Sequence, residues 1–483
     1  MFGRFAIDDS ARGRPGRPIT RIGRRGLAVR AWLMRACVAL ALSLVAASAN
    51  AEKVLVDDGS WQVFTDGRLG GFVSWVRGDG YPALYTYGRA ADGSFVVLHQ
   101  LRGGGWIAPA KNHLLNDPDQ PPTATDQGTI DMLRVRSGVL GNVFGFGLRH
   151  RLSASTRVTT YAQLSSFIEG QDRQIDRPNP IDVQQIFLEV DADWGTVLVG
   201  RVRELFARGA LDIDMLYGHT WGVGFPAPIA SAHGPTLGQV GFGVLGDEFA
   251  AGTSYATPDF AGFVLTAGLY EPLILRDNGA LTRTQYLRPE GELTFEHDLG
   301  TNARLFLFVD GSFQKLYTVG ACTPGQVCSG AVSGVGYGGR LEVGPVHFGA
   351  TGYYAKGVGL DNAPDMGDAS TDARGNLRAF DGYYAQAQLA LEPLEFSAGA
   401  GITRIFLTPV DKQTVPDPRD PTGVAQVYPY SLIKYQLGIN ASVVYNFSPS
   451  VHFDIDYFRA QARWYLGEHQ VLHAVNGGMT FSW

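Results

Sequence analysis

The chain ends on a strict alternation. Val471, Val475, Met479, Phe481 and Trp483 share one parity, and Asn476, Thr480 and Ser482 share the other. Successive side chains of a β-strand point to opposite faces, so this run predicts a strand with one apolar and one polar face. The same reading holds upstream. Ile433, Tyr435, Leu437, Ile439, Val443 and Tyr445 alternate with Lys434, Gln436, Asn440 and Ser442. Val451, Phe453, Ile455 and Tyr457 alternate with His452, Asp454 and Asp456, and Leu287, Leu293 and Phe295 with Arg288, Glu290, Glu292 and Glu296. Leu305, Leu307 and Val309 follow suit, although Phe306 and Phe308 blur that strand. Counting such stretches predicts about sixteen strands, from 61–76 to 471–483, with 129–150 as the second.

The connections alternate as well. Short turns fall at 153–156, 193–195, 258–260, 299–302, 342–345, 392–393 and 448–450. Long polar segments fall at 77–128, 169–181, 204–246, 272–284, 315–333, 357–379 and 408–431. Short turns at one rim and long loops at the other are the asymmetry of a transmembrane antiparallel β-barrel, periplasmic turns against external loops. A dry barrel interior could not hold this many acids and bases. The polar face is therefore expected to be wet and the apolar face to meet lipid.

Composition agrees. The chain has 483 residues with 62 Gly and 11% aromatics, and its mean hydropathy of −0.03 excludes a bundle of membrane helices. Residues 1–51 differ in kind: nine Arg, a short apolar stretch Ala36–Ala47, and Ala49-Asn50-Ala51 before Glu52. Basic region, apolar core and A-x-A site together predict a secretory signal peptide. Met34-Arg35 would open one of ordinary length, making Met34 an alternative start. Setting aside the nine Arg and two Asp of 1–51 from totals of 40 basic and 46 acidic residues leaves 52–483 at a formal −13. Nucleic acid is thus not an expected partner, and a channel in such a chain would favour cations. Cys322 and Cys328 flank a Pro-Gly turn and could close a small disulfide loop in a secreted chain. No metal ligands cluster near them, and no metal or cofactor is expected.

Enzyme chemistry has little to stand on. The ten His are scattered, with no G-x-S-x-G or H-E-x-x-H setting. Asp191-x-Asp193 and Asp454-x-Asp456 do not continue as calcium loops and read as turn or lumen carboxylates. Trp61, Trp75, Tyr353, Tyr354, Tyr457, Trp464 and Trp483 lie near predicted strand ends and read as interface girdles.

Four stretches resemble the general bacterial porins of the Gram-negative outer membrane. They are Ser137–Ile168 with the turn at 153–156, Asp193-Trp-Gly-Thr-Val-Leu-Val-Gly-Arg201, Ser254–Phe263, and the closing Tyr445–Trp483. In order and spacing the likeness spans 52–483. It implies a sixteen-stranded barrel, a homotrimer, and a third loop, here about 204–246, folded into the lumen as a constriction. Phe481 and Trp483 would then be the C-terminal signal for the barrel-assembly machinery. The partners would be outer-membrane lipids and small hydrophilic solutes and ions. The Gly-rich acidic segment of the best-known members is not recognisable here; Leu211-Asp-Ile-Asp-Met-Leu-Tyr217 stands in the loop instead. Pore size and selectivity therefore do not carry over.

The expected mechanism is a transverse field at the constriction. Asp212 and Asp214, with Glu204, are the candidate acidic side. Arg68, Arg134, Arg136, Arg149, Arg201 and Arg203 are the candidate basic side. Three functions stay open: a passive diffusion porin with slight cation preference, a substrate-selective channel, and a barrel that is not a channel, such as an enzyme or adhesin.

Overall fold

The structure is a computed structural model that describes residues 52–79, 84–89, 95–101, 129–137, 142–166, 181–215, 239–246, 249–272, 284–317, 325, 327–358, 370–372, 374–412, 414–417, 420–426, 432–465 and 467–483. The signal peptide expected at 1–51 lies outside them. The first strands are β1 (Lys53–Asp57), β2 (Trp61–Asp79), β3 (Leu84–Arg89), β4 (Phe95–Leu101), β5 (Thr129–Arg136), β6 (Asn142–Arg151), β7 (Arg157–Ser166), β8 (Ile181–Ala192) and β9 (Gly195–Arg203). A short helix, α1 (Arg208–Asp212), follows. Then come β10 (Phe249–Ala256), β11 (Phe263–Tyr270), β12 (Arg288–Asp298), β13 (Ala303–Tyr317), β14 (Ser329–Val343), β15 (Val346–Lys356), β16 (Ala379–Leu391) and β17 (Leu394–Phe406). The last are β18 (Thr414–Asp417), β19 (Asp420–Gln426), β20 (Ile433–Ser448), β21 (Val451–Trp464) and β22 (His469–Ser482).

Among the described residues, sixteen antiparallel wall strands close into a barrel. Closure is the pairing of β22 with β2, from Arg68↔Ser482 to Gly78↔Leu472. The predicted strand 129–150 is two elements sharing one wall position. β5 pairs with the second half of β2 and β6 with the first. β1, which the alternation did not reveal, forms a hairpin with β2 from Lys53↔Thr65 to Asp57↔Gln62. At the seam, Trp483 and Gly67 exchange both backbone hydrogen bonds, at 3.0 and 3.1 Å. The Trp483 ring covers Gly67, where a Cβ would stand 2.3 Å from it; no larger residue fits. Two hairpins, β3–β4 and β18–β19, fall inside segments read as loops.

The two faces are those of a membrane barrel. Val73, Trp75, Leu133, Val135, Phe146, Leu188, Val199, Leu265, Leu307, Ile455 and Met479 all point outward and are exposed. A water-soluble surface would not carry so continuous an apolar belt. Trp61, Trp75, Tyr354 and Tyr457 belong to this face, as girdle residues should.

The inward face departs from expectation. It is not polar throughout. At the loop end, Leu316, Val332, Tyr353, Phe380, Ile405, Phe458, Trp464 and Leu472 form one apolar cluster inside the wall. Tyr353 and Trp464, read as girdle, are buried there. Their parity is that of the lumen-facing residues, so proximity to a strand end misassigned them. Segments from the long loops supply the rest of the cluster: Phe206, Phe242 and Leu245, then Val358 and Leu377. Folded-in loops bring apolar side chains, and the wall opposite them is apolar to match.

Candidate pore constriction

The third loop enters the lumen through a series of local bonds. β9 ends at Arg203, and Glu204 is fully buried against Arg288 at the start of β12. Ala207 adopts a left-handed φ of 69°, a conformation that costs a non-glycine residue roughly 1 kcal/mol. Glu290 offsets that cost by accepting hydrogen bonds from the Leu205 and Phe206 amides at 2.8 and 3.1 Å. Arg208 bonds Glu292, the next inward residue of β12. Helix α1 then packs on β13 and β14, with Gly209 against the Phe308 ring; a Cβ at Gly209 would stand 2.3 Å from it.

Beyond α1 the loop reaches a different part of the wall. On β16, Gln386 donates from its side-chain nitrogen to the Ile213 carbonyl at 2.9 Å and accepts from the Met215 amide at 2.9 Å. After 216–238, which are outside the described residues, the chain returns along β17. Gly243 donates its N–H to the Thr403 hydroxyl at 2.9 Å, and Phe242 meets Phe458 of β21 edge to face, centroids 5.2 Å apart. The loop is thus pinned on β12–β13 and again on β16, β17 and β21. A segment held this way spans the interior rather than capping it.

The sequence-predicted charges distribute unevenly. Asp212 pairs with Arg203 at 3.0 Å. Its backbone carbonyl accepts from Arg340 at 3.3 Å. Burial raises the Asp212 pKa, but Arg203 and Arg208 outweigh it and hold the carboxyl below the usual range. Asp214 accepts from the Tyr384 hydroxyl at 3.4 Å. Glu204 is consumed by Arg288. Arg149 faces inward at the turn end, held bidentately by Glu52 at 2.7 and 2.8 Å and lying over the Phe64 ring. It is therefore far along the strand from the loop. Arg68 lies on the inward parity of β2 with Asp66 and Phe72. The backbone register sets Arg134 opposite Ser74 and Arg136 opposite Phe72; their side chains are outside the description. Arg201 shares the outward face with Val199 and is exposed, so strand parity takes it out of the lumen. Cys328 is disulfide-bonded; Cys322 is outside the described residues.

Sequence reasoning missed the residues that hold the loop. Arg288, Glu290 and Glu292 were visible as a polar face, but which amides they would serve depends on the loop's path. It also missed Arg378, whose guanidinium bonds Asp411 at 2.7 and 2.9 Å with both residues buried. Asp411 in turn accepts from the Thr408 amide, and Thr408 bonds Asp372. This network binds two further loops to the mouth on the β16–β17 side.

No protein-family model and no curated protein matches the chain by sequence. Solved structures do match in fold. The outer membrane channel DcaP of Acinetobacter baumannii superposes with a TM-score of 0.56 at 10% identity, covering 89% of this chain and 99% of that one. An anion-selective porin from Comamonas acidovorans gives 0.52 at 11% identity, covering 88% and 100%. At such identities the likeness speaks for architecture. With sixteen closed strands, an apolar outer belt and a loop pinned across the lumen, this chain has the fold of the outer-membrane porins.

Proposed function

We propose that the protein is a passive channel of the Gram-negative outer membrane for small hydrophilic solutes and ions, with a mild cation preference, and that it catalyses no reaction. The observation that carries this reading is the third loop pinned to separate parts of the wall, inside a barrel whose outer face suits only lipid. The long loops would be external and the short turns periplasmic, with 1–51 removed as a signal peptide. The assembly would be a homotrimer inserted by the barrel-assembly machinery, which would read Phe481 and Trp483. Cation preference is supported by acids on the inward face of the turn-end half: Asp66, Glu189, Asp454 and Asp456. In a low-dielectric wall such charges set the local potential.

Asp212 and Asp214 are proposed as loop anchors that shape the aperture, with Arg203 as partner to the first. A substrate-selective channel is the second reading, favoured by the apolar cluster at the loop end, which narrows the mouth on one side. Single-channel conductance of the purified protein under a salt gradient separates the readings. Ohmic steps with a small cation-selective reversal potential, grouped in threes, support the first. Saturation or block by one solute class supports the second. Folded barrels that insert and stay silent would overturn both. Asp454→Asn with Asp456→Asn is expected to reduce the reversal potential without changing step size by more than about twofold.

A further inference from the structure

The lumen wall on β12–β14 carries a charge pattern that holding the third loop does not explain. Two inward rows lie side by side there, on the turn side of α1. The row nearer α1 runs Glu296, Phe306, Arg340, and the row nearer the turns runs Asp298, Arg304, Glu342. Ion pairs tie one row to the other. Arg304 bonds Glu296, and Arg340 bonds Glu342 at 2.8 Å. Phe306, between Glu296 and Arg340, packs with Ala210 and Leu211 of α1. Arg340 also donates to the Asp212 carbonyl at 3.3 Å, so the array begins where the loop is anchored.

These pairs differ from the one that turns the loop inward. Arg288 and Glu204 are buried together. Arg304 and Glu296 are 50% and 27% exposed, and Arg340 and Glu342 are 29% and 27% exposed. Being on the inward parity, they are exposed to the lumen. Two further groups border the array. Asp298, 4.0 Å from Arg304, is 81% exposed at the turn, where water screens it. His347 stands opposite Glu342 and contacts Gln388 at 2.9 Å. The four central charges sum to zero and lie on one wall, unlike a transverse field with its signs on opposite walls. A solute with a single charge meets as much repulsion as attraction on such a surface. A zwitterion laid along it meets attraction at both ends. Neighbouring strands stand about 4.8 Å apart, a separation that the two ends of a short peptide can span. A guanidinium has five N–H donors, so it can serve its own acid and a solute carboxylate together.

We infer that the lumen wall on β12–β14 holds a binding subsite for zwitterionic solutes, amino acids and short peptides, on the turn side of the third loop. Arg304 and Arg340, on neighbouring strands, take the carboxylate. Glu296 and Glu342 take the ammonium. The bond within each pair keeps its charges from swinging across the pore, so the array is ordered before the solute arrives. The inference deepens the channel reading proposed above and rests on it for the solute's access.

Single-channel current in KCl through the full protein tests it, with alanylalanine as the probe. This zwitterion has no net charge and carries no current, so its occupancy is read as a saturable fall in the KCl current. N-acetylalanine, alaninamide and N-acetylalaninamide serve as the anionic, cationic and neutral analogues. In the wild type alanylalanine should half-saturate at millimolar concentration, and each analogue should act at least about tenfold more weakly. Glu296→Gln with Arg304→Gln removes one pair at constant net charge and away from α1. It should weaken alanylalanine about tenfold or more, judged against the variant's own solute-free current. Glu296→Asp with Arg304→Lys, which keeps both charges, should retain most of the effect. An equal fall from alanylalanine and the neutral analogue in the wild type overturns the proposal, as does an unchanged half-saturation in the Gln variant. If the Gln variant fails to fold, the comparison of solutes in the wild type decides. Absence of any solute-free current would overturn the channel reading instead. Saturation-transfer NMR from the detergent-solubilised protein to alanylalanine, which needs no conduction, would then decide the subsite, and no transfer overturns it.

Discussion

Strand β21 contains two regions that obey the same geometry and opposite chemistry. In its first half Phe453, Ile455 and Tyr457 face outward, and Asp454 and Asp456 face inward. In its second half Arg459 and Arg463 face outward, and Phe458, Ala460, Ala462 and Trp464 face inward. The parity never breaks; the polarity inverts. β22 repeats this, with Asn476, Thr480 and Ser482 inward at one end and Leu472 and Ala474 at the other. The inversion marks two changes of surroundings at one height. Outside, the wall leaves hydrocarbon for headgroups. Inside, it leaves the aqueous lumen for folded-in loops. On the proposed channel reading, packing at the loop end would set the aperture and charge at the turn end would set the field.

The largest expected effect comes from breaking the packed end. Arg378→Ala leaves Asp411 buried without its partner, and removing one member of a buried pair costs roughly 3–5 kcal/mol. Thr408 and Asp372 lose their anchor with it. The heat-modifiability midpoint should fall, and single-channel conductance should rise as segments 370–378 and 408–411 come free. The matching change at the polar end is milder. Asn476→Ala removes the hydrogen bond to the Asp456 carboxylate, worth about 1.5–3 kcal/mol, and should leave conductance close to wild type. Equal destabilisation by the two would contradict the division.

A smaller effect should follow from lifting the loop off the wall. A Cβ at Gly401 would stand 2.0 Å from the Phe242 carbonyl oxygen. That neighbour is backbone, so it can yield only by moving the 239–246 segment. Gly401→Ala is expected to cost about 1–3 kcal/mol and to change step conductance, whereas Gly291→Ala, whose Cβ meets nothing closer than 3.8 Å, should do neither. Circular dichroism and conductance on the pair would show whether the close approach matters.

The two regions were not equally legible in the sequence. The outward face could be read because lipid imposes one rule along most of each strand: Val475, Met479 and Phe481 give it without help. The turn-end interior followed by parity, as Asp454, Asp456 and Asn476 show. Trp464 was misread because aromatic character was weighed above parity. Arg459, Gln461 and Arg463 alternate with it, so the inversion was visible in the residues themselves. Glu290 and Arg378 were beyond reach for a different reason. Their partners lie 84 and 33 residues away on loops whose path no periodicity encodes. Asp212 was legible as an acid in a loop, but its pairing with Arg203 depends on the turn that α1 makes after the end of β9.

That pairing gives the smallest predicted effect, and a signed one. The Asp212 pKa is depressed in the folded protein, so its contribution is present above the unfolded value of about 3.9 and disappears as pH falls through the folded value. Conductance attributable to loop position should hold steady from pH 7 down to about 4 and shift only below that. Asp212→Asn should display the acid-side conductance already at pH 7 and abolish the transition at low pH. Titration of single-channel steps in both proteins checks this. A wild-type shift centred between pH 5 and 6 would mean that some other carboxylate, one with a raised pKa, holds the loop.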